Sequence, residues 1–368
     1  MKRKNGFTLI ELLAVIVILA IIALIATPIV LNIINDAKSE SGLRSADFYL
    51  DALELSIAQA TLDGQNITDG TYDILESGNL CLSYDASEKC IEELKVEVKG
   101  ETPKSGTIDI LNGEIEGALF PLDNKEITKN SKGEIVYIKT LEEVCELKEG
   151  TAKTAGAKYE CKVDPNKDPY TFYVLTTPKT EDKSINLIMD QNINSDGTPA
   201  GMTGVTKNGD NVYNLEAWIN QGDYESVGGQ NWSSWTDNNA FGPITAMNFL
   251  SEATKSWTNT NEIKTSTIAY ENGSTYTMAK TYTTNARMPI YSSDATKTEV
   301  ADKTDANAYL YDNLDPERIN APYGYWTLSP RAENSSYAWL VNYGGYVGSL
   351  GMRLAYSYGV RPVINLKI

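Results

Sequence analysis

Four cysteines, Cys81, Cys90, Cys145 and Cys161, are the side chains best equipped for covalent chemistry, and their spacings of 9 and 16 residues match no zinc-site pattern. An even count in an exported chain reads as two disulfides. Three connectivities are possible, of which short-loop pairing, Cys81–Cys90 with Cys145–Cys161, is favoured; each bridge would stabilise by roughly 2–4 kcal/mol. A second candidate is oxygen ligation by Asp190, Asn192, Asn194 and Asp196-Gly197, spaced like the start of a calcium loop. Counted from Asp190, the sixth position is Ser195 and not glycine; counted from Asn192, the twelfth is Thr203 and not glutamate. An Asn/Asp-rich hairpin turn explains these residues more simply. Histidine is absent, which removes Ser-His-Asp and Cys-His nucleophile systems and the HExxH zinc site. No P-loop, nucleophile elbow or CxxC is present. The expectation is a protein without catalytic residues, metal or cofactor, and not an enzyme.

The remaining reactive feature is a lone carboxylate, Glu11, at the head of an apolar run. Lys2, Arg3 and Lys4 precede it, and Leu12 to Val30 are 19 uncharged, nearly all aliphatic residues, enough for a helix to cross a bilayer. The basic patch places the N-terminus in the cytoplasm and the rest outside. A carboxylate bordering that run is costly and calls for a partner charge.

The string Gly6-Phe7-Thr8-Leu9-Ile10-Glu11 followed by the apolar helix resembles the type IV prepilin signature. The resemblance implies that a membrane prepilin peptidase cuts between Gly6 and Phe7 and methylates the new amine on Phe7. It also implies that Glu11 neutralises the N-terminal amine of a neighbouring subunit during assembly. Pro28 stands where many pilins carry a helix-breaking proline and is expected to loosen the helix. The implied partners are the prepilin peptidase, other pilin subunits with the pilus assembly platform, and the cytoplasmic membrane before assembly, with an extracellular pilus afterwards.

The elements that must position these groups follow from periodicity. Leu43, Ala46, Leu50, Leu53, Ile57 and Ala60 recur every three or four residues, an amphipathic helix ending near Ala60. Residues 94–137 alternate as strands, LKVEVKG, SGTIDILNGEIEGALF and EIVYIK, with Asn112-Gly113 as a hairpin turn. Farther on, 170–175 reads as a strand with 185–189 as its hairpin partner, and 246–253 as a short helix. Strands are expected over 338–343, 346–350 and 359–366. All six tryptophans lie beyond residue 200.

The closing stretch, W-x-L-S-P, A-W-x-V-N and G-V-R-P-V-I, resembles the C-type-lectin-like fold of the formylglycine-generating-enzyme branch. In that framework Arg361 is structural, pairing with a carboxylate or carbonyls inside the fold. The ligand face would carry Asn342, Tyr343, Tyr346, Ser349, Met352, Arg353 and Tyr356, because tyrosines flanked by small polar residues give large contact area at low entropy cost. Trp326 and Trp339 are expected in the core. Enzymes of that branch use late cysteines, and this chain has none after Cys161.

The chain has 368 residues, 42% hydrophobic and 22% charged, which is globular material for two or three domains. With 32 basic and 49 acidic residues it carries −17, a surface that repels nucleic acid. The organisation implied is α+β: leader 1–6, membrane-spanning assembly helix 7–31, amphipathic helix with a small antiparallel pilin-like sheet 32–140, and a C-type-lectin-like domain 141–368. The functional expectation is a minor pilin that displays a distal adhesion or recognition domain for a protein or glycan ligand. The alternative is a pseudopilin of a secretion or DNA-uptake system whose distal domain is structural.

Overall fold

The computed structural model describes residues 9–122, 125–199, 202–207, 210–213, 218–220, 244–271, 274–291, 296–312, 314, 324–330, 337–342, 344–351 and 357–368. The chain divides into two compact units, Met1–Ile138 and Lys139–Ile368.

The first unit is built on one helix, α1 (Leu9–Leu62), of 54 residues. Its backbone runs through Pro28 without interruption, so the loosening expected there does not break it. One missing amide is a local loss, and the turns on either side keep their bonds. Ala46, Tyr49, Leu50, Leu53, Ile57 and Ala60 are buried, which is the face that the three-and-four spacing marks. They pack on a seven-stranded antiparallel sheet in the order β3-β2-β1-β4-β5-β6-β7. Its strands are β1 (Gly70–Ile74), β2 (Leu80–Tyr84), β3 (Cys90–Leu94), β4 (Thr107–Leu111), β5 (Glu114–Leu122), β6 (Lys125–Lys129) and β7 (Ile135–Tyr137). Tyr49 anchors the contact: its ring meets Phe120 edge-on at 5.6 Å and its hydroxyl donates to Gly78 O.

The Asn112-Gly113 turn joins β4 to β5 as expected, with both residues at positive φ (54° and 80°) as a two-residue hairpin with a right-handed strand twist requires. The stretch LKVEVKG is not a strand beyond Leu94. Val96 and Val98 still pack against the core, and Val96 N donates to the Asn79 side chain instead of to a ladder. Alternation there reports burial, not pairing. Among the described residues no helix is long and apolar enough to cross a membrane.

The second unit opens with α2 (Leu141–Val144), β8 (Cys145–Glu149), β9 (Lys158–Cys161), β10 (Tyr170–Val174) and β11 (Ser184–Met189). Two ribbons, a single strand and a helix follow: β12 (Met202–Lys207) with β13 (Asp210–Tyr213), β14 (Trp218–Asn220), α3 (Ile244–Ala253), and β15 (Ile263–Glu271) with β16 (Ser274–Thr284). The C-terminal strands are β17 (Gly324–Pro330), β18 (Tyr337–Asn342), β19 (Tyr346–Gly351), β20 (Ser357–Gly359) and β21 (Val363–Lys367). One sheet, antiparallel throughout, has the order β21-β11-β10-β9-β8; the other has the order β14-β20-β17-β18-β19, with β17 and β20 parallel.

The single strand expected over 359–366 is two strands on different sheets. Pro362 has no N–H to give a ladder, and Arg361 turns its side chain into the interior, so the chain leaves one sheet at Gly359 and joins the other at Val363. Trp257, Phe172, Trp326, Leu328, Leu340 and Val360 fill the core between these elements.

Candidate recognition site in the distal unit

The β17–β18–β19 meander positions the candidate residues. β18 pairs with β19 in the register Asn342↔Tyr346, Val341↔Val347 and Leu340↔Gly348. At the connecting turn Gly345 takes a φ of 83°, and its N–H donates to Asn342 O. Asn342 is not on an exposed face. It is 3% exposed, and its Oδ1 accepts from Gly344 N–H, so the side chain closes the turn. An asparagine whose side chain accepts from the N–H two residues on is a turn-former for that reason.

Tyr346 is the exposed member, at 48%. A Cβ placed on Gly344 would stand 2.8 Å from its Cε1, and one on Gly348 2.9 Å from its Cε2. The ring therefore lies along the chain over two residues that lack side chains. A tyrosine held this way offers a flat apolar face at little entropy cost on binding. Of Ser349 only the backbone, in β19, is described; Tyr343, Met352, Arg353 and Tyr356 lie outside the described residues.

A neighbouring segment that sequence reading missed holds this turn. Lys303 N donates to Gly345 O, and Asp302 Oδ1 accepts from Val347 N on the edge strand β19. Lys303 Nζ lies 5.9 Å from the Tyr311 ring centroid and 3.6 Å from Asp312 Oδ1. The spacing Gly344-x-Tyr346-x-Gly348 was the available signal for the platform; nothing local in the sequence ties residue 302 to residue 347.

Beneath the meander, Arg361 is 1% exposed, and its guanidinium is spent on main-chain oxygens. Nε donates to Met189 O (2.5 Å), Nη1 to Leu310 O (2.8 Å) and Nη2 to Tyr309 O (2.9 Å), while the group stands 5.1 Å from the Tyr325 ring centroid. Of the two expected partner types, it takes carbonyls. Burial pushes the Tyr325 phenol up to about 12 against a partial offset from Arg361, and burial also pushes Tyr309 up to about 12. A second buried cation, Arg287, forms a bidentate pair with Glu299 at 2.6 and 2.5 Å; Glu299 also accepts from Ile290 N and the Asn186 amide. These groups are saturated by structural partners.

Asp190 to Pro199 forms a tight turn. Asn194 N donates to Thr198 O, the Asn194 amide donates to Thr198 Oγ1 and Pro199 O, and Asp196 accepts from Thr198. This is the Asn/Asp turn expected. Among the described residues no three His, Cys, Asp or Glu side chains gather as a metal site.

The cysteines pair as Cys81–Cys90 and Cys145–Cys161, with Cα separations of 5.7 and 4.0 Å. Each bridge joins an edge strand, β3 or β8, to its inner neighbour. At the other end of the chain Gly6 and Phe7 lie outside the described residues. Glu11 and Pro28 are described in backbone only, both within α1.

A family model for the prokaryotic N-terminal methylation motif matches residues 1–27. That motif is the signal of type IV pilin-like and pseudopilin proteins, and it implies processing by a prepilin peptidase and assembly with other pilins. A second model, a domain of unknown function (DUF6273), matches residues 214–368 and so begins well inside the distal unit. No curated protein and no solved structure matches the chain.

Proposed function

We propose that this protein is a minor subunit of a type IV pilus that crosses the cytoplasmic membrane once before assembly and carries the distal unit outward as a recognition module for a surface ligand. The observation that carries the reading is the methylation motif leading directly into α1, a helix of 54 residues that is apolar and exposed from Leu12 to Ile25 and amphipathic beyond. In sequence the apolar run continues to Val30, long enough to span a bilayer. Phe48, Leu55 and Leu62, spaced by seven, add an exposed apolar line on the side of α1 away from its sheet, suited to a neighbouring helix. The C-type-lectin-like reading of the distal unit is supported by the internal role of Arg361 in the closing G-V-R-P segment. The recognition role is supported by Tyr346, flat and exposed beside a braced turn. Net acidity keeps nucleic acid outside the expected ligand class.

The test is processing and incorporation. Mass spectrometry of the mature protein is expected to find N-methylated Phe7 as the first residue, and Glu11→Ala protein is expected to be cleaved but to stay in the membrane fraction. A first residue other than Phe7 overturns the prepilin assignment. Normal recovery of Glu11→Ala in sheared fibres overturns the charge-neutralising role. Wild-type protein processed at Phe7 yet absent from sheared fibres favours the pseudopilin alternative.

A further inference from the structure

In a tethered subunit of the kind just proposed, tension between anchor and ligand enters the distal unit at its first residue, Lys139. That residue is held more firmly than a linker requires. Its N–H donates to Asn261 Oδ1 at 2.6 Å, and its carbonyl accepts from Asn261 Nδ2 at 2.9 Å and from Lys367 N at 3.0 Å. Thr140 bridges Lys367 in parallel, extending the sheet past β21, its edge strand. The chain then makes one capped turn. Thr140 Oγ1 accepts from Glu143 N, the Glu143 carboxylate accepts from Thr140 N, and Leu141 and Val144 are buried. Val144 O accepts from Lys162 N, and Cys145 opens β8 on the opposite edge of the same sheet, covalently joined to Cys161. Within seven residues the chain is fastened to both edges of one five-stranded sheet.

We infer that residues 139–145, with Asn261, Lys367 and Cys161, form a mechanical clasp that keeps the distal unit folded when it is pulled through its tether. An edge strand at the start of a domain is the first to peel, because its bonds to the sheet break one at a time. The Cys145–Cys161 bond closes that route at β8, and the Asn261 and Lys367 contacts guard the residues ahead of it. A pull at Lys139 is thereby shared between β21 and β9 instead of being concentrated on one ladder. The inference rests on the tethered-display reading, but its test does not require a pilus.

The experiment is optical-tweezers unfolding of the full chain with bio-orthogonal handles at exposed sites. One pair, Glu54 and Asp305, loads the distal unit through Lys139; the other, Lys179 and Asp305, loads it without passing through the tether. Asn261→Ala removes two of the bonds on Lys139, worth roughly a tenfold rise in unfolding rate at fixed force. The rise is expected along the first axis and not along the second. The Cys145→Ser/Cys161→Ser pair is expected to show the same axis dependence, with a larger change. An equal change on both axes means ordinary stabilisation and overturns the clasp, as does no change along the tether. Absence of the wild-type protein from sheared fibres with the axis dependence intact would leave the clasp standing and fault only its biological setting.

Discussion

Arg361 shows how a charge can be read in sequence as structural while its partners stay hidden. A guanidinium can be buried without a carboxylate when each donor meets a carbonyl, because the dipoles replace the lost hydration. Three backbone oxygens accept from it, and two of them, on Tyr309 and Leu310, belong to the 3-10 helix Asp305–Leu310; Leu310 O also accepts from the Tyr325 hydroxyl. Arg361→Met is expected to take the donor from the Met189 and Tyr309 oxygens and lower the stability of the distal unit by about 3 kcal/mol or more. Arg361→Lys, with one compact ammonium, should restore only part of that. All six tryptophans lie in the distal unit, so urea unfolding followed by tryptophan fluorescence reads that unit alone. A loss under 1 kcal/mol for the methionine variant would mean that the carbonyls find other donors. The motif G-V-R-P pointed to Arg361, whereas its partners come from residues 189, 309 and 310, far away along the chain.

At the scale of elements, α1 joins two kinds of leucine in one sequence. Leu53 is fully buried against the seven-stranded sheet, while Leu55, two residues on, is 72% exposed. Leu53→Ala is expected to destabilise the first unit by roughly 2–5 kcal/mol through the cavity it leaves. Leu55→Ala should shift monomer stability by no more than about 0.5 kcal/mol yet reduce recovery in sheared fibres, because its place in the seven-residue apolar line matters only when another helix is present. Circular dichroism melts and fibre yield separate the two effects; equal melting losses would show that both leucines face the same core. The helix, its buried face and the Asn112-Gly113 hairpin were legible because each rests on local periodicity or turn chemistry. The strands β2 and β3 were not. Their segments carry Cys81, Ser83, Glu92 and Glu93, and β3 is an exposed edge whose pairing, not its hydrophobicity, defines it.

For the whole molecule, each unit has its own apolar core and its own disulfide, and each holds tyrosines whose phenol pKa burial raises. Tyr49 in the first unit is raised, and Tyr170, Tyr309 and Tyr325 in the second are each pushed up to about 12, mainly by desolvation. A phenol whose pKa is raised on folding binds its proton more tightly in the native state. Its contribution is complete below the unfolded value of 10.0 and is lost as pH climbs toward 12. Stability is therefore expected to be flat with respect to these groups below pH 10 and to fall steeply above it, as measured by urea midpoints across that range. An unchanged midpoint at pH 11 would show that these phenols ionise freely in the folded protein.

What the sequence determined by itself was whatever a short window can encode. The methylation motif with Glu11, the apolar and amphipathic halves of one helix, the hairpin turns and the division between a first and a distal unit all follow from neighbouring residue types. The tertiary structure alone decided that the last expected strand is shared between two sheets and that Asn342 closes a turn instead of facing outward. It also decided that Asp302 and Lys303 brace the Tyr346 platform, and that Lys139 is bound to Asn261 and Lys367. Apart from the Asn342 turn, these are pairings between residues tens to hundreds of positions apart. They are set by which buried donors and acceptors must find one another once the cores close, a constraint that no local pattern carries.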